Sequence, residues 1–382
     1  MLIAAVEKRK LVYVLNRDSA GRPTIASPLE AHRGRTVCID VTGLDNGYDN
    51  PIFASLEYRY PDFDEGSGGD DEKGGKEGDR VDERGKEETD RTSAASPRPE
   101  KQIAYYELDL GLNHVSRRWA MKPSCDSACR IVALPGGADG PGGVLVGGED
   151  WIEYVHEGMA DPPPLGDGMH VDGARKMTRI VCAIPRRFLH PPDKGVLITQ
   201  MTVHRQKRSK FFALAQSELG DVYKVTVRVA PADKTRVVGL TISLLDTLPV
   251  GNDLNVSKLG TLFVPAEFGD HGLFRFERID LEGVAPTCTS EEAGAVYLGR
   301  EDLKDEGEYY STPGVAAKVA CSFTPTTLKN LRRVYTMDSL APVTGVLVGE
   351  LAGGGGISPD LLPHRSWSEI ITLCPPSWRS RL

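Results

Sequence analysis

No run of eighteen apolar residues occurs in the 382-residue chain, so no segment reads as a membrane-spanning helix. Cysteine is sparse and scattered: seven in all, with Cys125 and Cys129 the one close pair and no second pair or paired histidines nearby. That spacing gives zinc little support and reads as reduced thiols of the cytosol or nucleus. No glycine-rich loop joins a strand to a helix; "PGGADGPGG" at 135–143 lies between two strands, where a tight connection is expected rather than a phosphate site. The eight histidines do not cluster. His114, in "LGLNHVSRRW", has no nameable nucleophile to serve as general base, and a polar connection is the simpler reading.

Excess positive charge is also missing. The net charge is −8, but residues 62–100 hold 14 acidic and 7 basic side chains, a net of −7, which leaves −1 for the rest. A broad basic field for generic nucleic-acid binding is thereby excluded. One dense basic stretch stands out, "VHRQKRSK" at 203–210. It lies between two apolar runs where a hairpin is needed, so it is either a phosphate contact or a solvated turn. The first ten residues, "MLIAAVEKRK", read as a strand and not as a secretory leader, because the charges follow a short apolar run.

What the chain does have is a series of apolar runs of four to eight residues separated by turn residues. In "VYKVTV", Tyr223, Val225 and Val227 share one side while Lys224 and Thr226 share the other. "FFALA" and "GVLVG" are apolar on both sides, as for strands held between two layers. Residues 62–100 have almost no apolar side chains and are expected to be a disordered acidic insertion; "EGMADPPPLGDGMHVDGARK" is a second proline- and glycine-broken loop. No long segment carries a helical period.

One pattern recurs: an apolar strand ending in small residues, a polar turn, then a strand with a bulky residue. It appears in "LIAAVEKRKLVYVLNR" from Leu2, "GVLVGGEDWIEYVHE" from Gly143, "FALAQSELGDVYKVTV" from Phe212 and "LFVPAEFGDHGLFRFER" from Leu262. "IFASLEYRY" with "IAYYELDL" is a fifth, the acidic insertion at its turn, and "VTGVLVGEL" from Val343 begins a sixth. With insertions removed the spacing is about fifty residues, within the range of propeller blades. The expected fold is therefore all-β: most of a seven-bladed, WD40-like β-propeller, incomplete. Glu218 in "QSELGD" and Glu267 in "PAEFGD" occupy matched turns, with Glu149 in "GGEDW" similarly placed. Matched turns emerge on one face of a propeller, so these carboxylates are either a surface for Lys and Arg of a partner or ordinary exposed turn residues. A propeller glycosidase would need paired carboxylates at the central channel, whereas these sit in hairpin turns.

The stretch "YYELDLGLNHVSRRW" resembles a signature of the splicing factor 3B subunit 3 family. So do "EKRKLVYVLNRDSAGRPTIASPLEAH", "LPGGADGPGGVLV", "FFALAQSELGDVYKVTV", "LDTLPV", "FVPAEFGDHGLFRF" and "LKNLRRVYTMDSLAPV", in the family's order from about Met1 to Leu351. The wider group of triple-propeller scaffolds includes the large subunits of the damaged-DNA-binding complex and of the cleavage and polyadenylation factor; "ELDLGLNHV" and "EKRKLVYVLNRD" favour the splicing member.

The resemblance implies a non-enzymatic nuclear scaffold without cofactor, acting in pre-mRNA splicing within the splicing factor 3b complex. Its implied partners are the HEAT-repeat subunit, the PHD-finger-like zinc protein and the smallest subunit, with RNA contact at most indirect and no membrane. It implies that residues 1–335 are later blades of a first propeller, that 336–352 begin a second, and that 353–382 form a divergent, unstructured tail. It places partner contacts on 16–39, including Asn16, Arg17, Asp18 and His32. It places others on 105–122, including Tyr106, Asp109, Asn113 and His114, and turns Gly195, Glu218 and Glu267 toward the smallest subunit. The family has further blades before Met1 and most of its length beyond Leu351, so a truncated or misread gene product is expected. Such a chain should be poorly stable alone, which thermal unfolding of the monomer would test.

Overall fold

Short apolar runs with turn residues between them fold as antiparallel meanders, because two-residue periodicity buries one or both faces of a pleated strand. The computed structural model describes residues 2–6, 9–31, 36–44, 49–60, 100–157, 159, 180–207, 209–281, 283–291, 320–339, 345–349 and 369–373. Every named element among them is a strand.

The strands form successive sheets. The first holds β1 (Leu2–Val6), β2 (Arg9–Tyr13) and β5 (Leu29–Ala31), with a small hairpin of β3 (Leu15–Arg17) and β4 (Pro23–Ile25) inserted before β5. The second is β6 (Thr36–Gly43), β7 (Ile52–Arg59), β8 (Glu100–Asp109) and β9 (His114–Met121). The third is β10 (Arg130–Ala133), β11 (Val144–Gly147), β12 (Trp151–Val155) and β13 (Ile180–Ala183), after which β14 (Arg186–Arg187) crosses onward. The fourth runs β15 (Ile198–Lys207), β16 (Lys210–Ser217), β17 (Asp221–Ala230) and β18 (Asp233–Thr247). The fifth is β19 (Asn255–Val256), β20 (Thr261–Val264), β21 (His271–Phe276) and β24 (Leu331–Met337). Between β21 and β24 the chain reaches back. There β22 (Thr287–Thr289) adds a fifth strand to the fourth sheet beside β18, and β23 (Ser322–Phe323) pairs in parallel with β14.

From the second sheet onward, the first strand of each lies against the first strand of the next: β6 on β10, β10 on β15, β15 on β19. The sheets therefore stack as blades do, and each buries both faces. In β16 the alternation is resolved cleanly. Ala213 and Ala215 join the core shared with the second and third sheets, while Phe212 and Leu214 join the core shared with the fifth. This is why "FFALA" is apolar on both sides. Burying a residue such as Leu214 contributes about 1.5–3 kcal/mol. All five recurrences with both strands described form the second and third strands of a blade, or β1–β2 in the first sheet.

Polar groups also tie blade to blade. The Glu57 carboxylate on β7, fully buried, takes the Lys10 ammonium from β2 at 2.5 Å, the Gln102 amide at 2.6 Å and the Tyr106 hydroxyl at 2.9 Å. Lys10 also donates to Thr36 Oγ1 at 2.9 Å. Burial, followed by the charge of Glu57, pushes the Tyr106 hydroxyl well up, so it stays a donor. Arg187 from the crossing forks onto Asp221 of the fourth sheet, at 2.8 and 3.0 Å. Asp246 accepts backbone N–H bonds from Lys329, Asn330 and Leu331 at 2.7–3.0 Å, fixing the start of β24.

Two further strands follow β24. The tail 353–382 carries a strand, β26 (Glu369–Leu373), paired with β25 (Gly345–Gly349). Its core, Ile370, Ile371 and Thr372, is β-branched, and an antiparallel partner supplies the backbone hydrogen bonds such a run requires. β25, read as the start of a second propeller, lies against β19 and continues the row of first strands. The acidic insertion falls outside the described residues apart from Glu100.

Candidate partner-binding face

In an antiparallel meander the turn between second and third strands lies at one end of the sheet, and the other two turns lie at the opposite end. The acidic turns at 148–150, 218–220 and 267–270 all join second to third strands. They therefore share one end of the stack.

Each turn is held by the segment that leads into a first strand. Glu149 bridges to Leu197 across the blade boundary. Leu197 in turn accepts from the Glu218 N–H at 2.8 Å and donates its own N–H to Glu218 Oε1 at 3.0 Å. One connecting residue thus carries the acidic turns of two neighbouring blades. One blade on, the Glu267 N–H donates to the Val250 carbonyl at 2.8 Å and Gly251 bridges to Ala266. Gln216 clamps that connection, accepting from the Gly251 N–H at 2.9 Å and donating to the Pro249 carbonyl at 2.9 Å. Glu149 and Glu218 are exposed and Glu267 is half-buried.

Gly195 joins this cluster for a steric reason. A Cβ there would overlap the Glu149 side chain. The loop before it is shaped by Arg186, which pairs with Asp150 at 2.9 Å and donates to the carbonyls of Pro191, at 3.0 Å, and Lys194. His190 Nε2 meets the Lys194 and Gly195 carbonyls at 3.0 and 3.2 Å. Asp150 sits at φ 66°, a costly conformation for a non-glycine residue. Its N–H donates to the Val196 carbonyl, its carbonyl accepts from the Ile184 N–H, and its Oδ1 accepts from the Val196 N–H, so the conformation is over-determined. Burial pushes the Asp150 carboxyl up and Arg186 draws it back down.

Sequence reading missed this scaffold, along with the exposed pair Phe188 and Leu189, 73% and 89% accessible, just before it. The available signal was "RRFLHPPDKG" itself: two bulky apolar residues outside any alternating run.

The other predicted residues lie elsewhere. Asn16, Arg17 and Asp18 are exposed on the β3–β4 hairpin. Asp18 Oδ1 accepts from the Ala20 and Arg22 N–H groups at 2.9 and 2.8 Å, and Arg17 donates to the Gly21 carbonyl at 3.0 Å, so both build the turn. Asn113 and His114 are exposed at the β8–β9 turn, where Asp109 Oδ1 accepts from the Gly111 and Leu112 N–H groups. That turn joins a third strand to a fourth, so it lies at the end opposite Glu218 and Glu267. Tyr106, expected among the partner contacts, is fully buried, stacked on Phe53 at 5.2 Å, with its hydroxyl on Glu57. Its alternation placed it inward, toward the first sheet. His32 lies outside the described residues. Among the described residues no group of three or more His, Cys, Asp or Glu could hold a metal ion.

Stacked four-stranded antiparallel blades with their turns collected at two ends define a β-propeller domain. The chain belongs to the family described as the RSE1/DDB1/CPSF1 first beta-propeller, whose model matches residues 1–338. It is 38% identical over 348 residues to Spliceosome-associated protein 130 A of Arabidopsis thaliana, covering 91% of this chain and 23% of that protein. It is 34% identical over 354 residues to Splicing factor 3B subunit 3 of Danio rerio, covering 92% and 24%. To Pre-mRNA-splicing factor prp12 of Schizosaccharomyces pombe it is 38% identical over 286 residues, covering 74% and 21%. The chain thus spans about a quarter of the length of the curated relatives it matches.

Proposed function

We propose that this chain is a non-enzymatic scaffold of a nuclear pre-mRNA splicing complex, gripping protein partners through the turns at the ends of its blades. The observation that carries this reading is the shared end on which Glu149, Glu218 and Glu267 stand, two of them fixed to one connecting residue, Leu197. Repeated carboxylates on a rigid frame suit Lys and Arg side chains of a partner. The names of the splicing relatives support the same assignment. By family likeness the partners are the HEAT-repeat subunit, the PHD-finger-like zinc protein and the smallest subunit of splicing factor 3b. Gly195, Glu218 and Glu267 face the smallest; Asn16, Arg17, Asp18, Asp109, Asn113 and His114 serve the others.

Glu218→Lys with Glu267→Lys should weaken capture of the smallest subunit by roughly tenfold or more while leaving the thermal transition in place. Unchanged capture would leave both as plain turn residues. A second reading is a damaged-DNA-binding or cleavage-polyadenylation scaffold, which the family description also covers. Affinity purification from nuclear extract separates the two: ubiquitin-ligase or cleavage-factor subunits in place of splicing factor 3b partners would displace the first reading.

A further inference from the structure

The basic stretch at 203–210 plays no part in the acidic face. It forms the end of β15 and the start of β16, paired out to Lys207 opposite Lys210 with a register shift between Arg205 and Lys207. That hairpin turn joins a first strand to a second, so it stands at the end opposite Glu149, Glu218 and Glu267. Arg205, Gln206, Lys207 and Lys210 are exposed. The adjoining β17–β18 turn adds Lys234 and Arg236, also exposed. Nearby acids are engaged locally: Asp233 accepts from the Thr235 N–H and hydroxyl at 2.9 and 2.6 Å, and Glu291 pairs with Arg228. Burial pushes His204 down, so it is neutral at pH 7 and adds no charge.

Between this hairpin and the 135–143 loop lies a groove of about 120 Å³, lined by Pro135, Asp139, Arg205, Gln206, Lys207 and Phe211. The loop is seated by Gly140, where a Cβ would collide with the Pro135 carbonyl and stand 3.0 Å from Phe211 Cε1. The groove therefore combines an aromatic ring, a proline wall, an amide, one carboxylate and a rim of cations.

We propose that this groove binds single-stranded nucleic acid. A base lies in the groove against the accessible edge of Phe211, and the flanking phosphates lie on the exposed Lys207 and Lys210. Aromatic rings stack on any base, while cations on the rim follow the backbone. Asp139 decides the ligand class. A carboxylate in the groove repels phosphate or an acidic side chain at that depth, but accepts a hydrogen bond from the exocyclic amino group of cytosine or adenine. Gln206 supplies a donor and an acceptor for the remaining edge of the base. An acidic peptide would satisfy the rim and leave the groove unfilled.

The test uses the full 382-residue chain and fluorescein-labelled twelve-residue oligocytidine and oligouridine, as RNA and as DNA, in fluorescence anisotropy at low and moderate salt. Oligocytidine should bind more tightly than oligouridine. Lys207→Gln with Lys210→Gln should lower affinity roughly tenfold and flatten the salt dependence. Asp139→Asn should narrow the cytidine preference. Phe211→Leu should weaken binding without altering the salt dependence. Absence of binding at low salt, equal affinity of wild type and the Lys207→Gln/Lys210→Gln variant, or displacement by polyglutamate as effective as by unlabelled oligocytidine would each overturn the proposal. Binding to RNA but not DNA, or to both, is consistent with it and reports whether the sugar is read. Circular dichroism of each variant checks that the fold is kept, at the exposed Lys207 and Lys210 and at the half-buried Asp139 and Phe211 alike.

Discussion

Glu57 illustrates what a single side chain does in this structure and why its role is hard to see in advance. In "IFASLEYRY" it looks like a solvent-facing strand residue. Its partner, Lys10, lies 47 positions earlier, on another sheet, and only the stacking of blades brings the two together. Once both are buried, each is costly without the other. Glu57→Gln keeps most of the shape but leaves the Lys10 ammonium, 2% accessible, without a carboxylate. The expected loss is about 3–5 kcal/mol in chemical denaturation. Adding Lys10→Met to Glu57→Gln should recover part of it. A double variant no more stable than Glu57→Gln alone would show that the pair does not act as a unit. Asp150 and Asp221 were equally unreadable as charge partners, since Arg186 and Arg187 reach them from a crossing between blades with no periodic signature.

Elements were more legible than their side-chain partners. The recurring strand–turn–strand pattern located the middle hairpin of each blade, because those strands are the longest apolar runs and are bounded by turn residues. Outer and inner strands such as β5, with three residues, and β19, with two, are too short for alternation to register. β22 was illegible because three residues, "TCT", are recruited by a sheet formed earlier in the chain. Turn glycines that look equivalent in sequence also differ. Gly220 and Gly269 both have positive φ, 84° and 101°. At Gly220 a Cβ would overlap the Leu248 carbonyl oxygen, whereas at Gly269 it would meet nothing within 4 Å. Gly220→Ala should therefore cost more than about 2 kcal/mol, combining backbone strain with a clash that the next connection cannot relieve. Gly269→Ala should cost about 1 kcal/mol. Thermal melts of the two variants compare them directly, and equal shifts would refute the distinction.

At the scale of the whole molecule, the two ends of the blades carry opposite chemistry. Glu149, Glu218 and Glu267 mark one end and the 203–210 hairpin marks the other. The residues expected to meet the smallest subunit, Glu218 and Glu267, stand at one end, and Asn113 and His114 stand at the other, a division that sequence spacing alone could not reveal. The second and third strands of the second sheet pair without a break out to Arg59 opposite Glu100. The blade is therefore closed before the acidic insertion begins. Replacing residues 60–99 with a two-residue Asn-Gly turn should leave the sheet intact and stability equal or slightly higher, because loop closure is shorter. A loss of the cooperative melt in that variant would show that the insertion is part of the blade. The deletion also removes most of the net charge, 62–99 holding 13 acidic and 7 basic side chains for −6 of the −8, so its solubility should be checked in parallel.

The backward excursion between β21 and β24 gives the stack a mechanical property. β22 pairs with β18 on the preceding sheet, and β23 lies along β14 at the crossing before it. Blades joined only in series would peel apart one by one when pulled from the C-terminal end. Here tension on β24 is transmitted through the excursion to β18 and β14, and those pairings must be loaded together with the fifth sheet. The fourth and fifth blades should then rupture as one unit at a single force peak, and the excursion behaves as a tether that spreads load across neighbours.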